Sequence, residues 1–218
     1  MGSQNSALEP FYRGAEADLF LSHTGPWQTI IKKRAIKDYR NPLLDYRLRR
    51  ERTLSEASTI HDARVAGVRV PSVLDVDLEK NTIVMMRIGG SGVRECLDSM
   101  KSGEARRLFR LLGEQIGRLH SAGITHGDLT TSNIIITAQG TPFLVDFGMS
   151  RRTTEPEDRG VDLHLLERSI NATHQRSPSL LIKSFVEGYA ESAGEKMASL
   201  TLAKAREISR RGRYFAIR

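Results

Sequence analysis

Along the chain the spacing of apolar positions changes repeatedly between strand and helix patterns, and each change predicts a new element. From Phe11 to Leu21 short apolar runs flank a turn of small residues, Gly14-Ala15-Glu16-Ala17, and Gly25-Pro26 marks a second turn. Trp27 to Ile31 reads as a strand that leads into Lys32. From Pro42 to about Ala66 the pattern becomes helical, with Leu44, Leu48, Ala57, Ile60 and Ala63 near helical spacing. Pro42 fits the first turn, and Gly67 and Pro71 end the run. Two strands follow, 73–76 and 82–87, turned at Glu79-Lys80-Asn81 and leading through Ile88 into Gly89-Gly90. Residues 104–120 form the clearest amphipathic helix, with Ala105, Leu108, Leu112, Ile116 and Leu119 on one face. Ile134-Ile135-Ile136 and Phe143-Leu144-Val145 then predict a hairpin turned at Gly140. Helices are expected over 163–170, 180–190 and 198–208. A β-rich first part with one long helix, then a mostly helical second part, predicts an α+β fold.

Composition adds limits. The 218 residues suffice for one domain of two small lobes, and 39% hydrophobic with 27% charged residues is ordinary for a globular protein. No apolar run approaches the roughly 18–20 residues of a membrane span, and no basic stretch followed by an apolar core marks a signal peptide. Cys96 is the only cysteine, which excludes an intrachain disulfide and a cysteine metal cluster and fits a cytoplasmic setting, with the nucleus added in a eukaryote. Met1–Asn5 is left out of the fold reasoning.

The charge is +7 and unevenly spread. Nine Lys/Arg fall between Lys32 and Arg52 against three acids, and six between Lys204 and Arg218 against Glu207 alone. Arg47, Arg49, Arg50 and Arg52 are expected to project into solvent. The tail, with Arg210, Arg211 and Arg213 beside Tyr214-Phe215, reads as a nucleic-acid contact.

The chemistry concentrates at 125–148. Asp128 and Asn133 are five apart on a loop entering the first strand of the hairpin, and the second strand delivers Asp146-Phe147-Gly148. Two acids and an amide at one end of a small sheet suit a magnesium-dependent phosphoryl transfer. His126-Gly127-Asp128-Leu129 through Asn133, followed by Asp146-Phe147-Gly148, resembles the catalytic and metal loops of the protein-kinase superfamily.

That resemblance orders the rest. It implies that Lys32, placed after Ile30-Ile31, grips the α- and β-phosphates of ATP, with Lys33 and Arg34 as competitors for the role. Glu56, rather than Glu51, would pair with that lysine. The turn at Gly14, Ala15, Glu16 and Ala17 stands in the place of a glycine-rich loop, although it departs from that pattern, and a plain hairpin turn is its likelier reading in isolation. Met85, Met86 and Ile88 stand where adenine would be held, Asn133 and Asp146 would bind Mg2+, and Asp128 would orient the attacking oxygen. Asp162 resembles the acid that braces the catalytic-loop backbone.

The resemblance narrows further through Ile31-Lys32-x-Arg34, Tyr39-Arg40-x-Pro42, Ser55-Glu56-Ala57, the Thr-Thr-Ser inside His126–Asn133, Pro156-Glu157-Asp158-x-Gly160-Val161-Asp162-Leu163 and the Arg-Arg-Gly-Arg tail. Over almost its full length the chain is similar to the small atypical kinase family of the KEOPS (EKC) complex, piD/PRPK. The family implies a minimal two-lobed kinase-like fold as a single domain over 1–218, with an N-lobe over about 8–88, a C-lobe over 89–210 and a basic tail at 211–218. It implies ATP and magnesium, a tRNA threonylcarbamoyl-transferase subunit and the other KEOPS subunits as partners, and an ATPase supporting modification of the tRNA adenosine next to the anticodon. Serine phosphorylation, including its own, is implied as well. Gly127 stands where loop-regulated kinases carry Arg, and no Ala-Pro-Glu follows Gly148, so Asp128 can serve a water as readily as a protein hydroxyl. The alternative is a conventional serine/threonine kinase acting on external proteins.

Overall fold

Strand alternation and turn chemistry build the first part of the chain. In the computed structural model, which describes residues 9–173 and 178–215 apart from the side chains of 173 and 212–215, strands β1 (Tyr12–Arg13), β2 (Ala17–Thr24), β3 (Trp27–Arg34), β4 (Val73–Asp77) and β5 (Thr82–Met86) form one antiparallel sheet in the order β1-β2-β3-β5-β4. Gly25, in the left-handed region at φ 59°, turns β2 back so that Thr24 pairs with Trp27. β3 runs three residues past Ile31, which puts Lys32 and Arg34 inside the strand.

Helix α1 (Pro42–Val65) starts where Asn41 Oδ1 accepts the Leu43 and Leu44 amides at 3.0 and 3.3 Å, with Pro42 in the first turn. Its buried positions are Asp45, Thr53, Glu56, Ala57, Thr59, Ile60 and Ala63. Leu44, expected on that face, is half exposed. Arg49, expected in solvent, turns back to the buried Asp45 at 2.7 Å. A buried carboxylate needs a cation, and one helical turn is the nearest place to find it. Ala57, Ile83 and Met85 form a small core joined by Ile30, Val73 and Val76.

The chain divides into two compact units. One takes the chain up to His61 together with Pro71–Arg87; the other takes Asp62–Val70 together with everything from Ile88 on. The second unit holds strands β6 (Ser91–Gly92), β8 (Ile134–Ile136) and β9 (Pro142–Leu144) in one small sheet, and β7 (Ile124–Thr125) paired with β10 (Arg151–Arg152). Its helices are α2 (Val93–Cys96), α3 (Ser102–Ser121), α4 (Pro156–Thr173), α5 (Pro178–Ala193) and α6 (Glu195–Phe215).

The amphipathic face of α3 packs Leu108, Phe109, Leu112, Ile116 and Leu119 into a core shared with Leu181, Phe185 and Tyr189 of α5. Glycines let these helices approach closely. A Cβ on Gly113 would lie 2.0 Å from the Phe185 carbonyl oxygen, and one on Gly188 2.0 Å from that of Arg110. Gln115, on the same buried face, accepts the Arg69 amide at 2.7 Å and donates to the Pro142 carbonyl at 2.8 Å, tying the link before β4 to β9.

Two helices extend furthest beyond the bounds that the sequence pattern predicts. α4 begins at Pro156, with Glu157 and Asp158 in its first turn, so Asp162 sits inside the helix and does not open it. α6 continues past Ile208 through the basic run. Arg211 pairs with Glu207 one turn back and with Glu157 of α4 at 2.9 Å, and arginine itself favours helix. The expected tail at 211–218 is therefore helical to Phe215; residues 216–218, like Met1–Asn5 and position 8, lie outside the described residues. Among the described residues no helix is long and apolar enough to cross a membrane.

Candidate active site

The first unit carries the charged candidate residues. Because β3 alternates, Lys32 and Arg34 share its inner face at 7% and 4% exposure while Lys33 lies outside. Lys32 Nζ donates to Glu56 Oε1 at 2.6 Å, and Arg34 donates to Glu56 Oε2. Glu51, the other acid considered, is exposed and pairs with Arg47 at 2.8 Å.

The turn before β2 is closed by Gly14 N–H donating to the Ala17 carbonyl at 3.0 Å. Lys37 donates to the Ala15 carbonyl, Ala35 N–H to the Glu16 carbonyl at 3.1 Å, and Arg52 of α1 to the Glu16 carboxylate at 2.5 Å. Ala17 enters the sheet opposite Arg34. On β5, Met85 is buried in the small core, and the next two amides are spent within the unit: Met86 N–H donates to Ser72 O at 2.9 Å and Arg87 N–H to Gln28 O at 3.0 Å. Ile88 begins the second unit and is partly buried.

The second unit builds the loop chemistry. The backbone of His126–Gly127 is pinned by one buried carboxylate. Asp162 Oδ2 accepts His126 N–H at 2.6 Å and Oδ1 accepts Gly127 N–H at 2.8 Å. The bracing role read for Asp162 thus has its geometry, from inside α4. His126 Nε2 donates to the Val145 carbonyl at 3.1 Å, its Nδ1 accepts Asp128 N–H at 3.3 Å, and its ring packs on Phe147 at 4.8 Å. Asn133 Nδ2 donates to both Asp128 O at 2.8 Å and Asp128 Oδ2 at 2.9 Å. Val145 N–H donates to the Asn133 carbonyl at 3.0 Å, which sets Asp146, next along the chain, beside Asn133.

Asp146 is one of two non-glycine residues in the left-handed region among the described residues, at φ 62°. That conformation costs an ordinary residue about 1–3 kcal/mol and persists where the surroundings enforce it. Gly127 is enforced for another reason. Its φ is 79°, and a Cβ there would lie 2.1 Å from the Met149 carbonyl oxygen, so no arginine fits this loop.

These donors suit a hard cation. Among the described residues no group of three or more His, Cys, Asp or Glu gathers as a metal site. Magnesium bound with a nucleotide needs less: one or two carboxylates, with phosphate oxygens and water completing the octahedron. With its amide nitrogen spent on Asp128, Asn133 is left with its amide oxygen as the other end, the ligand type magnesium takes.

Sequence reasoning did not single out four residues around this loop. His120 of α3 is buried between Asp162 Oδ2 at 3.2 Å and the Tyr189 hydroxyl at 2.9 Å, and that hydroxyl lies 3.3 Å from Thr201 Oγ1 of α6. Burial pushes the Tyr189 phenol above its ordinary value. Ser169 of α4 accepts the Thr131 amide at 3.2 Å. The available signal was a polar residue, His120, beside the apolar stripe of α3. Of the basic residues read for nucleic acid, Arg210 is exposed, Arg211 is exposed and paired with Glu157 and Glu207, and the Arg213 side chain lies outside the described residues.

Residues 29–175 match the RIO domain family. The chain is 40% identical to the KEOPS complex subunit Bud32 of Pyrococcus abyssi, over 93% of this chain and 94% of that one. It is 35% identical to the EKC/KEOPS complex subunit bud32 of Aspergillus fumigatus, over 92% and 88% of the two chains. A probable bifunctional tRNA threonylcarbamoyladenosine biosynthesis protein of Methanothermobacter thermautotrophicus is 40% identical across 93% of this chain, which spans only 36% of that longer protein. With a RIO-domain match over more than half its length and such relatives across nearly all of it, the chain belongs to the Bud32 (piD/PRPK) family of RIO-type, kinase-like proteins.

Proposed function

We propose that the protein is an ATP-dependent kinase and ATPase of a KEOPS-type complex, supporting threonylcarbamoyl modification of the tRNA adenosine next to the anticodon and able to phosphorylate serine, its own included. The observation that carries the enzymatic part is the loop geometry: Asn133 bonded to Asp128, with Asp146 held beside it in a left-handed conformation. Asp128 orients the attacking oxygen of a water or a serine in line with the γ-phosphate. Lys32, held by Glu56, binds the α- and β-phosphates, and the backbone of 14–17 covers them. Met85, Met86 and Ile88 border the adenine. Asp146 and the amide oxygen of Asn133 would hold magnesium, which would supply charge neutralisation to the phosphates. The rate gain then comes from positioning and charge neutralisation.

The biological part rests on the relatives named for KEOPS and for threonylcarbamoyladenosine biosynthesis. The transferase subunit and tRNA are the proposed partners, with Arg210, Arg211, Arg213 and the exposed arginines of α1 as RNA contacts. Release of phosphate from ATP, measured with and without the transferase and tRNA, tests the reading. Turnover should rise with both present, and Asp146→Ala should lower it about a thousandfold, because metal-borne charge neutralisation supplies several kcal/mol of the rate gain. Wild-type turnover by Asp146→Ala would sink the assignment.

A further inference from the structure

Glu56 is shared. Its carboxylate, on a residue 2% exposed, gives Oε1 to Lys32 and Oε2 to Arg34, which is itself 4% exposed. The same Arg34 nitrogen lies 3.4 Å from the carbonyl of Arg52, one turn before Glu56 on α1. Arg34 is also fixed by its backbone, whose N–H donates to Asn81 O at 3.1 Å at the end of β3. The guanidinium is therefore held at both ends before it meets the carboxylate.

Neutralising Glu56 does not call for this second cation. Lys32 already pairs with it, and bringing another charge out of water carries a large desolvation penalty that an apolar side chain of similar volume would avoid. What the guanidinium adds is direction. A carboxylate facing a single ammonium can offer either oxygen or both. With Oε2 taken, Glu56 is fixed in one rotamer and presents one oxygen to Lys32. Part of its negative charge is also drawn to Arg34, so Lys32 is less completely neutralised by its own orienting partner.

We propose that Arg34 is a positioning residue for Lys32: by occupying Oε2 of Glu56 it leaves that carboxylate one oxygen for the lysine, which sets where the ammonium stands and how far Glu56 neutralises it toward the phosphates of a nucleotide. This rests on the reading of Lys32 as the phosphate-binding lysine. Lys33, between the two in sequence, has no part in it because the strand turns it outward.

The test is steady-state ATP turnover by the full chain in Arg34→Met, Arg34→Lys and Lys32→Met, with folding followed by circular dichroism and thermal melting. Arg34→Met should raise the KM for Mg-ATP about tenfold, the size expected when the charge distribution around one phosphate-binding cation changes, with kcat within about threefold. Arg34→Lys keeps a cation at Oε2 and should hold KM within about threefold of wild type. Should Arg34→Met fail to fold, Arg34→Gln takes its place with the same expectation. An unchanged or lowered KM in the neutral variant, while Lys32→Met raises it, overturns the proposal even if the melting temperature falls; so does a tenfold rise in Arg34→Lys. If Lys32→Met leaves both KM and kcat at wild-type values, the phosphate-binding reading of Lys32 itself fails.

Discussion

The unit carrying Lys32 and the unit carrying Asp128 hold their functional residues by different physics. In the first, the fastenings are ion pairs between side chains: Lys32 and Arg34 on Glu56, Arg52 on Glu16. Some of them, such as Arg52–Glu16, are 42% and 49% exposed and open to salt. In the second, the loop at 126–128 is gripped through its backbone by one fully buried carboxylate, and that carboxylate is backed by His120, Tyr189 and Thr201 inside the helical core. The small core of the first unit, centred on Ala57, Ile83 and Met85, gives little apolar support around its charges. The second unit surrounds its polar network with the α3 and α5 packing. Under the proposed function the difference makes sense: a loop that holds a reacting oxygen in line needs fixed geometry, whereas a lysine on phosphates can tolerate adjustable charge contacts.

The largest expected effect comes from breaking the stiffer side. Asp162→Ala removes the acceptor of two buried amides and the partner of His120 at once. Loss of a buried, hydrogen-bonded charge of this kind costs about 3–5 kcal/mol, and for a chain of this size that lowers the melting temperature by about 10 °C. ATP turnover should fall with it. Asp162→Asn, which keeps one acceptor, should fall between. If Asp162→Ala melted like wild type, the contrast between the two units would be lost.

Gly127→Ala ranks next. The added Cβ would press on the Met149 carbonyl at 2.1 Å in a backbone conformation that alanine resists. About 1–3 kcal/mol of strain is expected, read as a lower melting temperature with a loss of turnover larger than the stability change explains. A variant as stable and as active as wild type would mean that the loop yields, and that backbone pinning is not what fixes it.

This ordering also explains how much of the molecule was legible in its sequence. The strand and helix order, the long α1 and the loop residues Asp128, Asn133 and Asp146 stand in periodic or motif context, where local pattern and tertiary demand agree. The start of α4 was missed because Pro156 can open a helix as readily as interrupt one. Leu44 was misplaced because α1 buries polar residues, Asp45, Thr53, Glu56 and Thr59, that no hydrophobic pattern marks. His120 and the sharing of Glu56 by Arg34 depend on partners 42 and 22 residues away, and spacing along one element cannot reveal them.

The smallest effect, and the one that separates the two kinds of fastening most cleanly, concerns Glu16 and Arg52. Their ion pair joins the turn at 14–17 to the helix that carries Glu56, and both side chains remain partly in water. An exposed pair of this kind is worth about 0.2–1 kcal/mol, so Glu16→Gln and Arg52→Gln should each raise the KM for ATP by no more than about fivefold, with the double variant no worse than the poorer single one. Raising the salt to about 1 M shortens the screening length to about 3 Å and should erase the coupling between the two positions. The backbone grip of Asp162 on His126 and Gly127, buried and hydrogen-bonded, should leave the melting temperature difference of Asp162→Asn nearly unchanged over the same range. Coupling at 16 and 52 that survived high salt would place this turn under packing control instead, and would make the first unit as rigidly built as the second.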